Sequence, residues 1–283
     1  MRKFLNRAFP LAAGLCALVA CGVLLAIVSA ILLRGLPAIS WGFFTEQIRL
    51  VGAAGGIFHN LMGTLLLITT AFLVSAPVAV GVALVHRVYL PAGRARRRLA
   101  LLLYILNGVP SILFGLFGLI VFVKYFGWGK SWLAGGILLG VMILPTVTVA
   151  LLERMAALPA SYLEAAAGLG LSPSQIIWSV ILPQSLGGLV TGSLLGLARA
   201  AGETAPILFT ATVFAGATFP HAIKESPVLS LPYHIFILAQ DSFDPAVGAK
   251  MWGSALVLLG LVFLLSLIAL PLRLRIHEEA RHG

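Results

Sequence analysis

Acidic residues are scarce in this chain: nine Asp and Glu among 283 positions, with charged residues of both signs reaching only 10% and hydrophobic residues 60%. Soluble domains carry about 25% charged and about 45–50% apolar residues, so this composition cannot clothe a water-facing surface. Uncharged apolar runs consume most of the length and leave no stretch for a separate soluble catalytic domain. Cysteine is almost absent too. Cys16 and Cys21 both fall in the first apolar run, on different helical faces, and give neither a disulfide framework nor a metal site. The six histidines are scattered and none forms His-Glu-x-x-His, so metal chemistry is unsupported. No Gly-x-x-x-x-Gly-Lys-Ser/Thr loop occurs, so the chain has no cradle of its own for the phosphates of ATP. Lys and Arg outnumber acids 19 to 9. A nucleic-acid surface would gather them on one solvated face, whereas here they sit in short segments between apolar runs.

What is present is a series of membrane-length runs. Leu11 to Leu33 is uncharged over about 23 positions, enough at 1.5 Å per residue to cross a hydrocarbon core of roughly 30 Å. With Arg2, Lys3 and Arg7 before it and Val28-Ser29-Ala30 near its end, it has some features of a signal peptide, but it exceeds the usual 7–15-residue apolar region and is read as a span. Further runs follow at about Asn60 to Val85, Leu99 to Val123, Trp132 to Leu152, Leu182 to Gly202 and Trp252 to Leu272, making six spans and an all-α polytopic membrane protein. The uncharged stretch Thr204 to Ile223 is interrupted by Pro206, Gly216 and Pro220 and is read as a partly buried outer segment, not a seventh span. Pro77, Pro110 and Pro145 lie within spans and are expected to mark ordinary kinks.

Basic residues in the connections set the orientation, because Lys and Arg resist translocation. The side of the N-terminus carries twelve: Arg2, Lys3, Arg7, Arg87, Arg94, Arg96, Arg97, Arg98, Arg154, Arg273, Arg275 and Arg281. The other side carries six: Arg34, Arg49, Lys124, Lys130, Lys224 and Lys250. Both termini are therefore expected in the cytoplasm, with Trp41, Trp128, Trp132 and Trp252 near the outer boundary. The cluster Arg94 to Arg98 is read as a topology anchor, with anionic lipid or a soluble partner's surface as the other reading.

The cytoplasmic segment between the fourth and fifth runs, 153–183, reads as two short helices with a joint at Gly168 and Gly170. Ser161 with Glu164 fits a capping box, and Ser172-Pro173 with Gln175 fits a second. Within it stand Glu164-Ala165-Ala166, three residues, Gly170, nine residues, then Val180-Ile181-Leu182-Pro183. This resembles the EAA loop of permease subunits in binding-protein-dependent ABC importers, E-A-A-x3-G-x9-I-x-L-P, departing only where Val180 replaces isoleucine. The resemblance implies that Glu164, Ala165, Ala166 and Gly170, with Leu182 and Pro183 closing the motif, belong to a coupling loop that docks into a partner ATPase. A capping role for Glu164 and a packing role for the alanines are compatible with that.

One ionisable pair remains inside a run. Arg199 and Glu203 are four apart, neighbours on one helical face, and an Arg near mid-membrane costs about 2.5–3.5 kcal/mol on insertion scales. At about 100° per residue, Gly188, Gly192, Gly196, Arg199 and Glu203 fall within roughly an 80° sector, so the charges share a face with a Gly-x-x-x-Gly-x-x-x-Gly stripe suited to close helix packing. The pair is read as a passage for an oxyanion, with Arg199 binding transiently and Glu203 limiting its affinity. An ion pair that locks two spans, or an Arg that snorkels to water, is the structural alternative. The segment Leu197 to Thr210, including Thr204, resembles A-R-A-x-G-E-T-A-P-L-L-F-T of the PstA-type permeases of phosphate importers, and Gly108 to Gly118 and Leu229 to Phe236 resemble other segments of that group.

That resemblance covers roughly Asn60 to Leu272 and implies a type I ABC importer permease fold: an N-terminal tail, first span and outer loop over 1–58, a five-helix core over 59–272 and a tail over 273–283. It further implies no cofactor on this chain, ATP and Mg at two partner ATPase subunits, a PstC-like permease partner, a periplasmic phosphate-binding protein and inorganic phosphate as cargo in a bacterial inner membrane. Another oxyanion or small solute on the same architecture is the alternative. A polytopic membrane enzyme using Glu203, Asp241 or Asp244 would need converging catalytic groups, and the carboxylates are scattered.

Overall fold

The computed structural model describes residues 2–49, 52, 54–91, 93–216, 219–241 and 244–282, with the side chains of 2–9, 11, 269 and 271–282 outside the description. The basic residues Arg2, Lys3, Arg7, Arg273, Arg275 and Arg281 of the orientation count fall among those undescribed side chains.

Helix α1 (Arg2–Gly35) carries an apolar stretch that is wholly unburied, as expected of a helix facing lipid. Its C-terminal end meets the last helix, where the Arg34 guanidinium lies 5.1 Å from the centre of the Trp252 ring. A short α2 (Trp41–Thr45), N-capped by Ser40, and a hairpin of the two-residue strands β1 (Ile48–Arg49) and β2 (Ala54–Gly55) form the connection to the next span. Then come α3 (Phe58–Leu84), which runs on as a wide turn to Tyr89, and α4 (Arg94–Gly108) with α5 (Ser111–Gly118), extended to Tyr125. Helix α6 (Trp132–Ala156) leads to a loop with α7 (Ala160–Gly168) and α8 (Pro173–Ile176), which passes through a wide turn into α9 (Leu182–Gly202). The short helices α10 (Ala205–Thr210) and α11 (Leu231–Gln240) precede α12 (Pro245–His282).

Five of these helices are long and apolar enough to cross a membrane, and the α4–α5 pair makes a sixth span if taken as one. Helix α6 is the hub: 61% of its apolar window is buried, against 39% for α3 and 33% for the α8–α9 helix. Leu138, Leu139, Met142, Ile143 and Val147 of α6 pack with Leu67, Ile68 and Ala71 of α3 and with Ala200 and Ala201 of α9. Lipid offers no hydrophobic drive between helices, so close contact must come from small residues. Gly136 lies against Thr70 and Gly140 against the Ala71 carbonyl and Val74, which draws α3 onto α6. The buried hydroxyls of Thr64, Thr70 and Thr148 donate to the carbonyls of Asn60, Leu66 and Leu144 one turn back, so they bring no unpaired donor into the core.

Two sequence expectations are corrected. Pro110 does not mark an ordinary kink: α4 and α5 are bent by 92° around it, whereas Pro77 and Pro145 sit inside continuous helices. Proline disfavours helical backbone at the residue before it, and Val109 is extended at φ −67°, ψ 129°. Helix α5 is held in its new direction by α10, where a Cβ on Gly115 would come 2.8 Å from the Ala205 carbonyl. The Ser161–Glu164 capping box does not form either. The helix begins two residues sooner behind Pro159, whose ψ of 136° makes it the N-cap residue, so Ser161 already lies inside α7. The second box forms as expected: Ser172 Oγ accepts from the Gln175 amide, and Gln175 Oε1 accepts from the Ser172 amide at 2.8 Å.

Candidate functional site: a polar cluster at the helix breaks

Helix α9 ends at Gly202, and Glu203 is extended at φ −77°, ψ 128° before Pro206 helps start α10. The stretch after Arg199 is therefore not a continued span but a break, which carries Glu203 and Thr204 between two helices. Across it, Arg199 Nε lies 3.6 Å from Glu203 Oε1, with the Arg side chain 35% and the Glu side chain 18% exposed. The second helix break approaches the same point. Asn107, three residues before Pro110, accepts from Arg199 Nη1 at 3.1 Å and from Thr146 Oγ1 of α6 at 3.3 Å through the one oxygen, Oδ1. The guanidinium can only donate, which settles that the amide oxygen is the end that faces it. Of the five N–H donors of Arg199, one is taken by Asn107 and one faces Glu203 among the described residues; the others are available to an anion.

Gly188, Gly192 and Gly196 lie against α6, where a Cβ would meet Arg154, Ala150 and Ile143 at 2.5, 2.8 and 3.2 Å. The stripe thus seats α9 on α6 and presents Arg199 at the level of Thr146. Sequence reading missed Asn107 and Thr146. A lone carboxamide in an otherwise apolar run, next to Gly108 and Pro110, was the available signal. It also missed Lys130, whose Nζ donates to the carbonyls of Leu208 and Thr212 at 3.0 and 3.2 Å, placing a cation at the C-terminal end of α10. Burial lowers the Lys130 ammonium below its ordinary range.

In the loop between α6 and α9, α7 closes in a Schellman motif: Leu171 N donates to Ala166 O and Gly170 N to Ala167 O, with Gly170 at φ +73°. Only a residue without a Cβ holds that conformation freely. Ala166 is buried, while Glu164 and Ala165 face outward beside Tyr162 and Leu169, the last 81% exposed. Leu182 is half-buried and Pro183 exposed at the start of α9. Beneath the loop, Met155, Leu163, Pro173, Ile176 and Ile181 line a cavity that α7 roofs.

Residues 75–277 match the model of the family described as binding-protein-dependent transport system inner membrane component. The chain belongs to that family. Phosphate transport system permease protein PstA 2 of Mycobacterium tuberculosis is 34% identical to this permease over 83% of the present chain and 76% of its own. A probable phosphate transport system permease protein PstA of Methanocaldococcus jannaschii is 32% identical over 99% and 97%. Among solved structures, a bacterial alginate ABC transporter chain aligns with this permease at a TM-score of 0.60 and 12% identity, covering 94% of each chain. A chain of the MetNI methionine ABC transporter in an inward-facing conformation aligns at 0.56 and 19%, covering 78% of this permease and 94% of that chain. The type I importer permease fold and the multi-pass inner-membrane location follow, and such a permease works with an ATPase and a substrate-binding protein.

Proposed function

We propose that this permease is one of two membrane subunits of an ATP-driven importer that carries inorganic phosphate to the cytoplasm. The carrying observation is the polar cluster: Arg199, which lies within an apolar run of the sequence and not in a connection, with free donors on the guanidinium and Glu203 beside it, at two helix breaks. Such donors suit a planar, bidentate grip on an oxyanion, and the flanking carboxylate keeps the grip weak enough for passage. Phosphate as the cargo is supported by the names of the PstA relatives.

Partnering is supported by the surface. Tyr104, Ile105, Ile112, Leu113, Leu116 and Phe117 of α4 and α5 are exposed around Asn107, a large apolar face beside a polar site. A second, PstC-like permease on that face would enclose the path between two subunits. The outward Glu164, Ala165 and Leu169 of the inner loop, on a helix fixed by the Gly170 turn, suit docking to one of two ATPase subunits that hold ATP and Mg, with a phosphate-binding protein on the outer side. The excess of basic residues in the inner connections supports cytoplasmic termini, and the core of 59–272 between an N-terminal region and a short tail remains the working division.

The complex, reconstituted with its binding protein, should take up labelled phosphate only when ATP is hydrolysed. Excess sulfate should leave the rate unchanged. Uptake of sulfate or another solute in place of phosphate would overturn the cargo assignment.

A further inference from the structure

Arg87, Arg94, Arg96, Arg97 and Arg98 lie close together between the end of α3 and the start of α4, and none of them forms an ion pair among the described residues. Arginines that only mark where a chain leaves the membrane keep their charged heads in water. Arg94, Arg97 and Arg98 are exposed in that way. Arg96 is drawn inward instead. Its Nη2 donates to the carbonyls of Arg87 and Leu90 at 3.2 and 2.6 Å, and its Nε is buried without a hydrogen-bond partner, as is Nδ1 of the nearby His86. Buried polar atoms left unpaired are rare and call for a cause beyond topology.

Arg96 lines a cavity of about 240 Å³ together with Arg87 at the end of α3, Leu103 of α4, and Val149, Leu152 and Glu153 near the end of α6. Three spans end here, so the cavity stands at a membrane boundary. Leu103 is two turns deeper along α4 than Arg96, and Val149 one turn deeper along α6 than Glu153, so the cavity is polar at the boundary and apolar toward the membrane interior. Leu101 and Leu102, both more than half exposed, continue that apolar surface along α4. The volume is below the roughly 300–1,000 Å³ that encloses a whole drug-sized ligand and suits a headgroup whose chains stay outside. Two guanidinium groups face one carboxylate, Glu153, which leaves the cavity positive. We infer that it seats the phosphodiester headgroup of an anionic membrane phospholipid, with Arg87 and Arg96 at the phosphate and the acyl chains lying on the exposed leucines of α4. An acidic side chain of a soluble partner or free inorganic phosphate would answer the arginines and leave the apolar depth unfilled.

The importer complex, placed in phosphatidylcholine nanodiscs, is given trace phosphatidylglycerol or trace phosphatidylcholine carrying a photoreactive group in the acyl chain. Labelled peptides of the permease are then mapped by mass spectrometry. Phosphatidylglycerol should label α4 around Leu101–Leu103 and α6 around Val149–Leu152 about fivefold or more above phosphatidylcholine, on the scale of one basic residue near a membrane surface. Arg87→Gln, which removes a guanidinium with no hydrogen bond of its own among the described residues, should bring that ratio close to one. Glu153→Gln should raise it, a direction that a packing defect would not produce. Arg98→Gln, exposed and outside the cavity, should leave it near the parental value. Equal labelling by the two lipids, or an equal fall in Arg87→Gln and Arg98→Gln, would overturn the inference, the second by showing diffuse attraction to the surface. Loss of the labelling on adding millimolar inorganic phosphate would overturn it in favour of a soluble anion, and labelling that appears only after the ATPase is stripped away would overturn it in favour of a protein contact.

Discussion

Arg199 illustrates how far one side chain is defined by what it meets from distant parts of the chain. Its ion pair with Glu203 is local, but the hydrogen bond to Asn107 spans 92 positions and ties the end of α9 to the break after α4. Arg and Glu at a four-residue separation could be read from the sequence; Asn107 could not, because nothing in its own run points to α9. A second residue, His234 at the start of α11, is buried, and burial together with the nearby Lys250 ammonium pushes its imidazole down to about 4. The unfolded chain binds a proton below about 6.5 that the folded chain refuses until about 4, so the segment around α11 loses stability as pH falls through that window and is unaffected above it. Melting of the purified complex should fall on acidification from pH 7 to 5, and His234→Phe should flatten that dependence; an unchanged slope would mean that His234 is not held neutral.

At the scale of elements, the seat of α9 on α6 depends on missing side chains. A Cβ at Gly192 would lie 2.8 Å from Ala150 Cβ and 3.0 Å from the Val147 carbonyl, both fixed by the helix that carries them. Gly192→Leu should therefore destabilise the permease by about 1–3 kcal/mol, an overpacking cost seen as a lower melting temperature, and should displace Arg199 from Thr146 and Asn107. Gly202 is open to solvent with nothing near its Cβ position, so Gly202→Ala provides a control expected to melt close to the parent. The glycine stripe was visible as a period of four, though not that α6 was its partner. The bend at Pro110 was hidden for a related reason. Pro77, Pro110 and Pro145 look alike in sequence, yet only Pro110 is followed by a helix that α10 can pull aside through the gap left by Gly115. Likewise, the Ser161 box failed because Pro159 starts α7 sooner, a contest between two caps that spacing alone does not decide.

For the whole molecule, charge scarcity organises everything else. With so few ionisable groups available, most mark where the chain leaves the membrane, and the span count and inner loop could be read from their placement. The meeting of two helix breaks could not, since it is a property of packing around α6, and it is there that the anion path is proposed to lie. The central claim is that this meeting point carries the cargo and is not simply an ion pair that locks α9. ATP-driven uptake of labelled phosphate by the reconstituted importer, compared for the parent, Arg199→Ala and Glu203→Ala, tests it most directly when the amount of ATPase co-purifying with each variant is measured alongside. The account predicts at least a hundredfold loss of uptake in both variants, about 2.7 kcal/mol or more, with ATPase co-purification unchanged. Uptake near the parental rate in both, from a complex equally well assembled, would contradict it.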